Sequence, residues 1–379
     1  MLILKNAKIV DNSFHFINAD IEINNEKISK IQPNLSGSEE IDLTGLVIVP
    51  GFVDIHIHGC VGADTCDADT EDLAKMCAHL ATKGVTSFCP TTMTVSHEAI
   101  SKSLMAVKQC MDNPPKGASI AGVNMEGPYI SKNKKGAQAE EFVKNPDLNE
   151  FKRFYDECGG IIKLVDIAPE CEGADEFIKE ASKLCTVSIA HTEADYKCAK
   201  NAFNLGITHA THLYNAMPGL THRAPGVVGA VFDDERIRAE IICDGFHIDP
   251  AVLRITFGVL GKDRPIIISD SMRAAGKPDG VSNLGGQTVY VKNGQARLED
   301  GTIAGSTTNM HDEIKNLISY GVPFLNVIKA ATINPAREIK EDNKIGSIKK
   351  GKYADLVVMD PQLNIKMVVV RGKIEVDNI

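Results

Sequence analysis

A chain of 379 residues, 43% hydrophobic and 24% charged, has the apolar content of one large buried domain or two unequal ones, which excludes a disordered or fibrous protein. Its formal charge of −9, with no basic run interleaved with aromatics, argues against a nucleic-acid surface but not against a small anionic substrate held by a few local cations. No window approaches the run of about 18 apolar residues that spans a membrane. Lys5 and Asn6 interrupt the N-terminus before a signal-peptide core develops, so a cytoplasmic protein is expected.

From the N-terminus, the stretches 2–11, 19–32 and 40–50 alternate apolar and polar residues as half-buried strands do. Eight strand candidates follow, at 52–58, 86–92, 119–126, 161–169, 186–191, 207–212, 237–244 and 265–270, with amphipathic segments between them. Two of those segments, EDLAKMCAHLATK (71–83) and EADYKCAKNAFNL (193–205), run into Gly84 and Gly206, as helices that end at glycine do. Eight βα units over roughly 250 residues predict one closed barrel. An open doubly wound sheet is the alternative, but no G-x-G-x-x-G follows the first strand. The stretch 287–305, with Asn293-Gly294 between alternating runs, predicts a β-hairpin inserted after the eighth strand.

Two further strands, ADLVVMD (354–360) and MVVVRGKIEV (367–376), finish the chain. Neither end has strands enough for a sheet of its own, so the two are expected to combine. The fold class is therefore α/β: a (β/α)8 TIM-like barrel over 51–345, with a small β-sandwich domain made by both termini, 1–50 and 346–379. Ten cysteines, scattered from Cys60 to Cys243 without a C-x-x-C pair, read as reduced thiols, mostly buried.

Barrel active sites form where strands end and βα loops begin, so the polar residues at those ends are informative. Strand one ends in His56-Ile57-His58, and alternation along a strand puts both imidazoles on one face, able to grip one ion. Glu126 ends the third strand, His191 the fifth, His212 the sixth and Asp270 the eighth, with His247 just past the seventh. Singly, each reads equally well as a surface residue, a cap or a satisfied core hydrogen bond. Their shared position at strand ends favours a metal site. Imidazole and carboxylate ligands without thiolates suit Zn2+ or Fe2+, with Mn2+ and Co2+ as alternatives, at one or two ions per chain. Such an ion lowers the pKa of bound water towards about 7 and generates hydroxide. Asp270 is the natural general base and acid, unless it caps the next segment. Arg223 is the sole arginine of the long loop 212–226 and suits a phosphate, although a solvated surface arginine would look the same.

The segments PGFVDIHIHG (50–59), ATINPAREI (331–339) and IGSIKKGKYADLVVMD (345–360) resemble the amidohydrolase superfamily. Narrower marks are MEGPYIS (125–131), KKGAQ (134–138), APE (168–170), THLYNAMP (211–218), RAPG (223–226), DGFHID (244–249), SDSMRAAG (269–276) and AGST (304–307). Together they resemble the N-acetylglucosamine-6-phosphate deacetylase family over nearly the whole chain. The resemblance implies that Glu126, His191 and His212 hold the principal metal, that Asp270 is the general acid/base and that His247 helps polarise the acetamide carbonyl. It implies substrate contacts from Ala137, Gln138, Asn215, Ala216, Arg223, Asp244, His247, Ile303, Ala304 and Gly305, and a homodimer acting on an amino-sugar phosphate.

Some members of that family lack the H-x-H of strand one and bind one metal, whereas His56 and His58 allow a second ion here. Some carry histidine where Gln138 stands; glutamine donates a hydrogen bond but supplies no imidazolium. The rival readings are the N-acetylgalactosamine 6-phosphate epimer as substrate, a cyclic amidase or deaminase, and a scaffold or sensor that has lost the reaction. A cyclic amidase would place a lysine at the end of strand four, where this chain has Ala168-Pro169-Glu170 and Lys163 near the start.

Overall fold

The computed structural model describes residues 1–379, and eight parallel strands in chain order form its centre. They are Phe52–Ile57, Val85–Thr92, a third strand in two pieces (Ser119–Ile120 and Val123–Met125), Ile162–Ile167, Thr186–Ile189, His209–Ala210, Arg238–Ile241 and Pro265–Ile267. Each pairs with the next, in the order the sequence predicts. First and eighth strands meet at their C-terminal ends. There the Asp270 amide donates to the His56 carbonyl at 2.9 Å, and the Ser269 hydroxyl donates to Asp54 at 2.6 Å. The result is a near-closed TIM-like barrel.

Helices follow all eight strands: Thr70–Thr82, His97–Asp112, Leu148–Glu157, Ala174–Ala181, Tyr196–Leu205, Gly226–Asp233, Pro250–Leu260 and Met310–Ser319. The first shows why they form. Leu73, Met76, Cys77, Leu80 and Ala81 recur at helical spacing and are all buried against the barrel, each of the larger ones contributing about 1.5–3 kcal/mol. The Asp69 carboxylate accepts the Glu71 amide at the N-terminus, and the turn ends before Gly84 at φ +78°. The predicted helix at 193–205 begins only at Tyr196, because Asp195 caps it by accepting the Cys198 amide at 2.8 Å.

Several strand candidates are longer in the sequence than in the ladder. The third breaks at Ala121-Gly122, where Gly122 has φ +149° and a Cβ would stand 2.8 Å from the Ile161 carbonyl oxygen. The sixth pairs only over His209–Ala210. The inserted segment forms a three-stranded antiparallel sheet, Gly280–Leu284, Gln287–Lys292 and Gln295–Arg297. Its turn is the predicted Asn293-Gly294, both at positive φ as a type I′ turn requires.

The termini do combine. Residues 47–50 pair antiparallel with Leu356–Met359, joining the N- and C-terminal strands into one eight-stranded mixed sheet separate from the barrel. Alternation gives that sheet two buried faces. Ile48, Leu356, Val358, Met367 and Val369 line its own core, while Val49, Val357, Met359, Val368 and Val370 pack with the barrel cluster. No helix is long and apolar enough to cross a membrane.

Asp355 lies buried beside this sheet and accepts the Arg371 amide at 2.7 Å; burial pushes its carboxyl up to about 7. The native state therefore holds a proton that the unfolded chain has released, and this contribution to stability is lost as pH rises from about 4 through about 7. Asp355→Asn keeps the acceptor and removes the charge. Chemical denaturation should show little difference from wild type at about pH 4 and a gain of about 1–3 kcal/mol at pH 8.

Candidate active site

The chemical side chains sit on, or one to three residues beyond, the last paired residue of their strands. Glu126 directly follows Met125, and His191 and His212 stand two residues past Ile189 and Ala210. Asp270 stands three past Ile267. His191, His212 and Asp270 have φ of +42°, +27° and +45°, a left-handed conformation costing about 1–3 kcal/mol each in residues that are not glycine. The chain turns sharply at those points and aims the side chains inward.

Glu126 is their meeting point. Its Oε1 lies 3.1 Å from both His191 Nε2 and His212 Nε2, and 3.6 Å from His56 Nε2. Its Oε2 lies 3.2 Å from His58 Nε2. Asp270 Oδ1 lies 3.3 Å from His58 Nε2 and 3.7 Å from His56 Nε2. The far nitrogens are tied down by other elements. His191 Nδ1 donates to the Lys134 carbonyl at 2.7 Å, and His56 Nδ1 donates to Glu240 Oε2 at 2.9 Å.

Charge follows from this crowding. Burial works to raise Glu126, but hydrogen bonds from His191 and His212 and the charge of His56 hold it well below the usual carboxylate range. Burial works to lower His58, yet Asp270 and Glu126 outweigh it and lift the imidazole to about 10. Asp270 is likewise held below its ordinary value, His58 and His56 overcoming its burial.

Two groups of donors converge here, His56 with His58 and Glu126, and Glu126 with His191 and His212, each within 4.8 Å. In the second group, His191 Nε2 and His212 Nε2 approach to 3.1 Å. Ligand bonds of about 2.0–2.1 Å around a tetrahedral ion imply neighbouring donors about 3.3 Å apart, so the spacing fits. His56 Nε2 is fully buried and has no hydrogen-bond partner, an orphaned atom a metal would satisfy. These residues fit a binuclear metal site.

Above the donors opens a cavity of about 530 Å³. Of the residues expected from the sequence, it is lined by His58, Glu126, Ala137, Gln138, His191, His212, Asn215, Ala216, His247, Asp270, Ile303 and Gly305. His56 lies beneath it, and Ala304 is buried behind Gly305. Asp244 does not line it either; it accepts His247 Nδ1 at 2.7 Å and the His247 amide at 2.9 Å. Arg223 stands apart, on the fully exposed run 219–224 outside the cavity.

The Gln138 Oε1 accepts the Thr94 amide at 2.6 Å, which turns its NH2 towards Glu126. Lys132, Lys134 and Lys135 also line the cavity, as do Leu284, Asp300 and Thr302 from the inserted sheet and its following loop, and none of these six is among the residues expected from the sequence. The basic run at 132–135 after strand three was the available signal for the lysines. The inserted sheet offered none.

The family profile of the amidohydrolases matches residues 47–374. The chain is 35% identical to the N-acetylglucosamine-6-phosphate deacetylase of Bacillus subtilis (strain 168), over 98% of this chain and 96% of that one. It is 33% identical to the N-acetylgalactosamine-6-phosphate deacetylase of Escherichia coli O157:H7, over 86% and 87%. Among solved structures it matches the N-acetylglucosamine-6-phosphate deacetylase of Thermotoga maritima with a TM-score of 0.89 at 32% identity, over 99% of each chain. It also matches a variant of the Mycobacterium smegmatis enzyme in complex with N-acetyl-D-glucosamine-6-phosphate, with a TM-score of 0.93 at 29% identity, over 99% of each.

Because Glu126 belongs to both donor groups, Glu126→Ala should strip metal from both. Elemental analysis should find well under one ion per chain, where His58→Ala retains about one.

Proposed function

The chain belongs to the amidohydrolase family, and we propose that it hydrolyses the acetamide of N-acetyl-D-glucosamine 6-phosphate to D-glucosamine 6-phosphate and acetate. The observation that carries this reading is the Asp270 carboxylate, 3.3 Å from His58 in the floor of a cavity whose mouth holds three lysines. A carboxylate outside both donor groups but beside them suits proton transfer, and a cationic mouth suits a phosphate.

Glu126, His191 and His212 would hold one divalent ion and His56, His58 and Glu126 a second, and such ions would supply Lewis acidity to the reaction. Zn2+ or Fe2+ fits this donor set best. Asp270 takes a proton from the attacking water as its oxygen bonds to the acetyl carbon. It returns that proton to the nitrogen as the C–N bond breaks, since an amide anion is a very poor leaving group. His247, held through Nδ1 by Asp244, presents its other ring nitrogen to the acetamide oxygen. Gln138, its amide fixed by Thr94, adds a neutral donor beside Glu126.

Lys132, Lys134 and Lys135 supply cations to the phosphate, with Asn215 and Ala216 beside them. Arg223 lies on an exposed stretch outside its own cavity, which suits a role in a homodimer. The nearby surface supports that arrangement: Leu220 is 49% exposed, and Ile255 and Val259 on the helix Pro250–Leu260 are 60% and 46% exposed. Light scattering at micromolar concentration would report the dimer. Ten unpaired cysteines suit a reducing cytoplasm.

The first assay is acetate release from N-acetylglucosamine 6-phosphate, its galactosamine epimer and unphosphorylated N-acetylglucosamine. Preference for the first by about tenfold or more supports the reading. Better turnover of the epimer keeps the chemistry and changes the substrate. Asp270→Asn should retain metal and KM while kcat falls about 10²–10⁴-fold. Near-normal kcat in that variant removes Asp270 from the mechanism.

A further inference from the structure

Barrel interiors are ordinarily filled with branched apolar side chains. One part of this interior is, through Val53, Ile55, Leu164, Ile242, Ile266 and Ile268. The part beneath His56 is charged instead. Along the seventh strand Ala239 and Ile241 join the outer cluster, so Arg238 and Glu240 share the opposite face. Along the sixth, Ala210 packs outward and His209 faces in.

These side chains make one string. His56 Nδ1 meets Glu240 Oε2 at 2.9 Å, and Glu240 Oε1 meets His209 Nε2 at 3.0 Å. His209 Nδ1 lies 3.7 Å from Glu338 Oε1, and Glu338 Oε2 accepts Arg238 at 3.0 Å. The side chains of His56, Glu240 and His209 are wholly inaccessible and that of Glu338 is 2% exposed; only Arg238, at 34%, reaches solvent. Glu338 belongs to the ATINPAREI segment, which contributes nothing to the cavity wall. Its carbonyl accepts the Thr186 hydroxyl at 2.8 Å, which fixes it to the fifth strand.

We infer that Glu240, with His209 and Glu338 behind it, is the positioning residue that makes His56 a metal ligand. The inference rests on the reading that His56 and His58 hold an ion of their own. Accepting from Nδ1, Glu240 leaves the proton there and the lone pair on Nε2, the nitrogen facing Glu126 and Asp270. No other group performs this task for His56. A carboxylate buried so deeply is costly on its own, and His209, 3.0 Å from Glu240 Oε1 without hydrogen-bond alignment, is the basic side chain beside it, with Glu338 and Arg238 beyond.

The test uses full-length protein loaded with Zn2+ and equilibrated against graded chelator, with retained metal counted by elemental analysis and fold checked by circular dichroism. Wild type should hold two ions per chain. Glu240→Gln should release one of them at 10- to 100-fold lower chelator strength and hold the other as wild type does. In a His56→Ala background, where only the second ion remains, adding Glu240→Gln should produce no further shift. Should Glu240→Gln fail to fold, Glu240→Asp keeps the charge, loses the reach and should show the same selective release. Release unchanged from wild type, or an equal shift of both ions, overturns the positioning role. A wild-type chain that binds only one ion overturns the two-ion reading itself, so the two failures are told apart.

Discussion

The Glu126 carboxylate stands 3.1–3.6 Å from four imidazoles drawn from the first, fifth and sixth strands, and its side chain is 3% exposed. An anion buried this way costs several kcal/mol unless cations or a metal surround it. Those partners are distant in the chain, so only the closed parallel barrel brings them to one point. The hydrogen bonds from Asp270 to His56 and from Ser269 to Asp54 close the barrel at that same end. Closure of the sheet and assembly of the donors are thus one event, and a strand shifted by one residue would turn its ligand away from the others.

The backbone is distorted where the donors converge. The positive φ values of His191, His212 and Asp270 are the places where strands turn inward, and surrounding contacts hold them. The loop after strand three does much of this holding. Lys134 accepts His191 through its carbonyl, Gln138 approaches Glu126, and Ser131 donates its amide to the His191 carbonyl at 2.9 Å. The same loop brings lysines to the mouth. Rigidity at the donors and charge at the entrance therefore share one segment.

The barrel was legible because β-branched runs alternate with amphipathic segments eight times, and the donors were legible because histidine and carboxylates recur where those runs stop. The terminal strands were legible as strands, and their shortage at each end implied that they combine. Less could be read of the strand ends themselves. Periodicity continues through Thr211 and Cys243, but pairing stops earlier, because hydrogen bonds depend on where the neighbouring strand turns away. Asp244 reads as a substrate contact, and the structure adds what no spacing shows, that its carboxylate holds His247 and accepts local amides in a tight turn.

Composition and spacing by themselves determined the class of fold, the kinds of donor and the strands they follow, since apolar periodicity and ligand chemistry are local properties of the chain. The tertiary structure alone decided which of those residues face one another. Glu240, His209 and Glu338 are ordinary polar residues in a linear reading, and they form a string only because three distant segments share the barrel interior. Arg223 shows the reverse: its motif suggested a place in the cavity, and the path of the loop carries it to the surface. Distances between residues far apart in the chain are set by packing and closure, which no local pattern encodes.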